Sequence, residues 1–352
     1  MSELPATRFG RNSQRVALAA ALWVAASLVL AGGTFWWQAA QVGGPSSFDL
    51  VMLLPAFGLA AVSFSLRTLR WHLFLAAADA HPPLLTSLRT QLIGFSLTVT
   101  PGKVGELYKC YLVERRTGVP SAKTAPIVLF EKLMDAAAFA TLALISAALL
   151  PDLASTITGA ARTLLLVGIV GLAMGFFVRL VRPEAANGFL LRLMGRSRLS
   201  RRFASAAVMA VLGGASLLKP VILVGNAALS LIARTCDGLA VTLAVAAIGV
   251  DISPLAGIFV LNSSGVLGGL SMLPGGIGVV EASMSLALAG LGAPPAAALV
   301  GTLLARFLTF WIWVAIGLVL LVSGREFRGR AMEWPASAPL GTSESLSSRD
   351  RS

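Results

Sequence analysis

Pro101-Gly102-Lys103-Val104-Gly105 and Pro274-Gly275-Gly276-Ile277-Gly278 share the pattern P-G-x-x-G. With 17 Pro and 35 Gly in 352 residues, composition alone predicts about 0.2 copies. The surroundings match as well. An apolar stretch precedes each copy, over 84–97 and 255–270, and a further glycine follows each, Gly118 and Gly292. A long apolar segment comes next, with Glu131 and Lys132 inside it in one copy and Arg306 in the other. Proline removes a backbone donor and glycine loosens the chain, so neither motif fits inside a continuous spanning helix. Irregular backbone at membrane depth is tolerated only inside protein or beside a water-filled cavity. Each motif is therefore expected at the bend of a re-entrant helical hairpin. Weakly repeated halves with Gly/Pro-broken hydrophobic segments are a common plan of transporters, and the breaks point to the binding site.

The bulk composition sets the class. The chain is 56% hydrophobic and 12% charged, with a mean hydropathy of +0.82, whereas soluble domains carry about 25% charged residues. It reads as an all-α polytopic membrane protein. Two cysteines give neither a disulfide framework nor a metal-ligand spacing, and two histidines exclude most zinc chemistry. No metal or cofactor is expected. The net charge of +12 does not point to nucleic acid, because the basic residues are confined to particular loops.

Six segments are apolar over about the 20 residues that a spanning helix needs: 16–38, 49–66, 124–150, 163–181, 220–248 and 295–323. Basic loops alternate with loops lacking Lys and Arg between them. The region 39–48 has none and 249–294 has none, whereas 179–202 holds seven arginines. By the positive-inside rule both termini are cytoplasmic. Each half then contains three spanning helices and one hairpin, which crosses an even number of times. Each half crosses an odd number of times, so the two repeats are inverted. The expected organisation is a cytoplasmic N-terminus (1–15), repeat A (16–150), repeat B (151–325) and a disordered cytoplasmic tail (326–352). Repeat B includes a basic amphipathic connection over 182–205, expected to lie on the inner leaflet.

The motifs L-R-T-L-R-W (66–71), P-G-K-V-G-E-L-Y-K (101–109), F-E-K-L-M-D (130–135), L-P-G-G-I-G-V-V-E (273–281) and R-F-L-T-F-W (306–311) together resemble the lysylphosphatidylglycerol synthase transmembrane, or flippase-like, family. The resemblance covers roughly residues 15 to 325. It implies lipid handling at an inner membrane. In the best understood members this module moves aminoacylated phosphatidylglycerol between leaflets, and a separate soluble domain makes that lipid. Stand-alone relatives are associated with polyprenol, glycolipid or hopanoid functions. Some carry a glycosyltransferase label, but nothing here resembles a nucleotide-sugar site.

Ionisable groups within apolar segments are functional candidates by default. Glu131 and Asp135 are i,i+4 and share a helix face, and Lys132 points about 100° away. One reading gives Lys132 to a phosphate; the other makes the cluster an interhelical salt-bridge network. Arg234 and Asp237, at i,i+3, neutralise each other or serve a headgroup. Arg306 has no acidic neighbour in its own helix, so Glu281 or a lipid phosphate must pair it, and its planar fork suits phosphate. Glu106 and Glu281 follow their motifs and either cap the next helix or meet a cationic headgroup. The turns formed by Pro101, Gly102 and Gly105, and by Pro274, Gly275, Gly276 and Gly278, would aim helix N-termini at an anionic headgroup. Arg67, Arg70 and Trp71 are expected at the cytoplasmic interface as depth anchors, or as first contacts for lipid phosphates.

The leading expectation is a translocase for an anionic or headgroup-modified phospholipid, polyprenyl lipid or glycolipid. The chain shows no G-x-x-x-x-G-K-[ST] motif. Two other readings are a membrane-embedded lipid transferase and a non-catalytic partner of a separate lipid-modifying synthase.

Overall fold

The computed structural model describes residues 49–100, 106–150, 220–271 and 273–323, together with Gly33. The expected helices 16–38 and 163–181, the amphipathic connection 182–205, the first P-G-x-x-G turn and both termini lie outside the described residues. Among those described, the chain is helical and contains no strand.

The helices are α1 (Leu50–Ala77), α2 (Leu84–Ser96), α3 (Tyr108–Thr117), α4 (Ser121–Leu149), α5 (Pro220–Ala246), α6 (Pro254–Leu270), α7 (Val279–Gly290), α8 (Pro295–Arg306) and α9 (Ile312–Ser323). A π-helical turn, Phe307–Trp311, joins α8 to α9. Three described spans are long and apolar enough to cross a membrane: Leu50–Ala77, Val221–Ala246 and Pro295–Ser323. The protein is an integral membrane protein.

Local chemistry sets the helix ends. Asp49 caps α1 by accepting a hydrogen bond from the Val51 amide at 2.9 Å, and Ser253 caps α6 through the Ala256 amide at 3.1 Å, with Pro254 in the first turn. The ends of α1 and α5 share one device. The Ala80 amide donates to the Leu75 carbonyl and the Val250 amide to the Val245 carbonyl, next to left-handed Asp79 and Gly249. α1 exceeds its expected end at residue 66 by eleven residues and carries Arg67, Arg70 and Trp71 within it.

α1 and α5 pack antiparallel along their lengths, the Asp49 amide meeting the Ala247 carbonyl at 2.9 Å. α6 lies against α4 and α5, and α9 lies against α2. Two apolar cores result. One joins α1, α3 and α4 through Trp71, Phe74, Leu75, Cys110, Val113 and Ile127. The other is built mainly by α5 to α8, around Val241, Val245, Phe259, Met284, Leu288 and Leu304. Buried charged side chains collect along a seam where α1, α3 and α4 meet one another and α5.

Candidate functional site

The seam holds a chain of buried ion pairs. Lys109 on α3 donates to Glu131 on α4. Glu131 lies 3.8 Å from Arg70 on α1, and Arg70 donates to Asp135 on α4 at 2.8 Å. Asp135 also pairs with Arg234 on α5 at 3.2 Å. Arg234 reaches Asp237 at 3.3 Å, and Asp237 accepts from Arg67 on α1. Seven residues from four helices thus alternate in sign. Neutral partners fill the gaps. Gln91 on α2 accepts from Lys109 at 3.1 Å, Ser230 accepts from Arg70 at 2.5 Å, and Ser63 accepts from Arg67 at 3.2 Å. Aromatic faces cover three of the cations: Lys109 sits 3.9 Å from the Trp71 ring centroid, Arg234 4.1 Å from that of Phe139, and Arg67 5.9 Å from that of Phe95.

Two further ion pairs flank this chain. Lys132 on α4 pairs with Glu106 at 2.6 Å, and Thr98 donates to the other oxygen of Glu106 at 2.9 Å. Arg306 donates to Glu281 at 2.8 Å and to the Gly275 carbonyl at 3.2 Å. In both pairs the glutamate follows a P-G-x-x-G motif in the sequence and its cation lies on a later helix, α4 or α8. Arg306 also lies over Phe310, 4.1 Å from its ring centroid.

Around the second motif the backbone explains its glycines. Gly275, Gly276 and Gly278 have φ of +63°, +66° and +84°, a region where a Cβ is strained. The turn ends at α7, where the Gly278 amide donates to Glu281 Oε2 at 2.7 Å. The carboxylate of Glu281 thus already occupies one of the helix N-terminal donors expected to face a headgroup. Val99, in the short turn that follows α2, packs against this turn beside Phe310. Pro101, Gly102 and Gly105 fall outside the described residues.

Arg67, Arg70 and Trp71, expected as depth anchors or as first contacts for lipid phosphates, are enclosed by the protein: they are 6%, 2% and 0% exposed. The arginines are neutralised by carboxylates from α4 and α5, and the Trp71 indole donates to Thr90 at 3.1 Å. Two quoted motifs, 101–109 and 306–311, hold features that the sequence does not reveal. Lys109 stands at one end of the chain of pairs, where its only sequence signal is a cation inside a broken apolar segment. The π-turn after Arg306 is held by the Trp313 indole, which donates to the Leu308 carbonyl at 3.0 Å. Such turns occur often at functional sites.

The family described as lysylphosphatidylglycerol synthase TM region matches residues 23–317. The chain belongs to this family. Within it, the described helices and both flanking ion pairs lie inside the matched stretch, apart from the last residues of α9. The chain is also similar to a UPF0104 membrane protein of Methanothermobacter thermautotrophicus, with 26% identity over 290 residues, covering 78% of this chain and 85% of the relative.

Proposed function

We propose that the protein is a lipid translocase built from two inverted repeats with re-entrant hairpins, lodged in an inner membrane with both termini cytoplasmic. The observation that carries this reading is the chain of buried ion pairs that begins among α1, α3 and α4 and crosses to α5 through Asp135–Arg234 and Arg67–Asp237. Charges in a membrane interior are costly and mark substrate paths. The lipid headgroup passes along this seam while the tails stay in the bilayer. Its phosphate takes over arginine donors from the carboxylates one at a time, so no bare charge is exposed in transit.

The repeat reading has support from matched positions. Arg67 and Asp237 are 170 residues apart and pair directly, and the helix-end bonds Ala80 to Leu75 and Val250 to Val245 have the same spacing. Equivalent positions that touch lie on the symmetry axis. In an inverted repeat that axis runs in the membrane plane, which puts the Arg67–Asp237 pair near the bilayer centre. The contacts of α6 with α4 and of α9 with α2 exchange under the same operation. So do the Lys132–Glu106 and Arg306–Glu281 pairs. Rocking of one half against the other would open the seam to each leaflet in turn.

The test is leaflet exchange of fluorescent phospholipid in proteoliposomes. Replacing Arg306 by Met together with Glu281 by Gln removes the second pair without leaving a lone buried charge. Exchange is expected to fall at least about tenfold, the equivalent of losing 1.4 kcal/mol of charge-assisted contact in the transit state. Correct insertion is checked by retained monodispersity in detergent. Wild-type rates in that variant, or no exchange by wild type across anionic, zwitterionic and polyprenyl lipids, would count against the translocase.

A further inference from the structure

The chain of ion pairs does not balance. Four cations, Lys109, Arg70, Arg234 and Arg67, face three carboxylates, Glu131, Asp135 and Asp237. The flanking pairs Lys132–Glu106 and Arg306–Glu281 are each neutral, so the excess of one positive charge remains among the described residues of this network. All seven members are enclosed, with side-chain exposures from 2% to 16%. An uncompensated buried charge costs several kcal/mol. Arginine cannot shed its proton to relieve it. Protonating a carboxylate would enlarge the excess. The donors are also not used up: Nε of Arg67, of Arg70 and of Arg234 has no hydrogen-bond acceptor, and the one unpartnered carboxylate oxygen in the network, Glu131 Oε1, stands 3.8 Å from Arg70. At two places where a carboxylate would balance the charge, neutral groups stand instead: Gln91 beside Lys109 and Ser230 beside Arg70.

We propose that this seam is a binding site for a single phosphate monoanion, and that the lipid handled is therefore a net-negative phospholipid rather than a net-cationic aminoacylated one. This rests on the translocase reading for its lipid source, and on the charge count for its sign. A phosphate diester supplies one negative charge and acceptors for the free guanidinium donors. A headgroup that adds an ammonium group brings no net compensation and meets a site already positive.

Thermal unfolding of the full-length protein in neutral detergent tests this. The probes are phosphatidylglycerol, phosphatidylcholine and inorganic phosphate, added separately to wild type, Gln91→Glu and Ser230→Asp. Each variant inserts the missing carboxylate beside an existing cation. Both variants are expected to fold and to melt no lower than wild type without lipid. Phosphatidylglycerol is expected to raise the wild-type melting temperature, and phosphatidylcholine to do much less. In the variants the half-saturating phosphatidylglycerol concentration should rise at least about tenfold. An unchanged phosphatidylglycerol response in both variants overturns the proposal, as does equal stabilisation by phosphatidylcholine. Failure of both variants to fold overturns the charge deficit itself. If inorganic phosphate alone reproduces the whole stabilisation, the site takes a free anion and the lipid part falls. The translocase reading is separable: equal leaflet exchange of both lipids keeps it and sinks this inference, whereas selective binding without exchange does the reverse.

Discussion

Asp135→Ala is expected to destabilise the protein by about 3–5 kcal/mol, the usual cost of leaving a buried ion-pair partner uncompensated. Asp135 serves two arginines at once, Arg70 at 2.8 Å and Arg234 at 3.2 Å. Without it, Arg70 keeps only a 3.8 Å approach to Glu131 and its bond to Ser230. Arg234 keeps only Asp237, which Arg67 already shares. The network then carries one surplus positive charge more than in wild type: removing one anion raises the excess from one to two. Asp135→Asn retains an acceptor oxygen and the side-chain volume, so its effect should be smaller, on the order of half. Leu133→Ala provides the control. Leu133 is 40% exposed on the same helix, and trimming a lipid-facing leucine loses little because lipid tails are as apolar as its packing partners. Melting curves in detergent compare the three. Equal losses for Asp135→Ala and Leu133→Ala would mean that the ion chain does not hold the two halves together.

Gly317→Ala should force α9 and α2 apart. α9 approaches α2 so closely that a Cβ on Gly317 would lie 2.0 Å from the Leu92 carbonyl oxygen and 2.7 Å from its carbon. These are backbone atoms of a helix, and no rotamer change relieves the clash. The helices must separate, with an expected cost of about 1–3 kcal/mol or more. The displacement would reach Val99, Phe310 and Trp311, which pack beside the second P-G-x-x-G turn. Leaflet exchange should drop with stability, since Arg67 and Arg306 lie over Phe95 and Phe310 of that cluster. Gly58→Ala is the matched control: nothing lies within 4 Å of its added Cβ, and stability should stay within about 1 kcal/mol of wild type. A melting temperature for Gly317→Ala as high as that of Gly58→Ala would show that α9 and α2 are free to slide.

The residues themselves decide a good deal here. Runs of apolar residues about 20 long have no soluble use, and they become helices because a bilayer leaves no other partner for the backbone. The second P-G-x-x-G breaks its segment because three of its glycines adopt φ above +60°, a conformation written into the residue type. Shared motifs also suffice to name the family. Tertiary structure decides where the charges go. Hydropathy measures how long a segment is and which loops are basic, but it is blind to a partner on another helix. Arg67 and Arg70 therefore read as the end of a span and an anchor at its edge. They lie inside α1 because Asp237 and Asp135, far along the chain on α5 and α4, neutralise them. The pairing of Lys109 is hidden in the sequence for the same reason, since its carboxylate is Glu131 on the next helix. An ion pair at membrane depth is stable only when both members arrive together, and that meeting is a property of the packed fold.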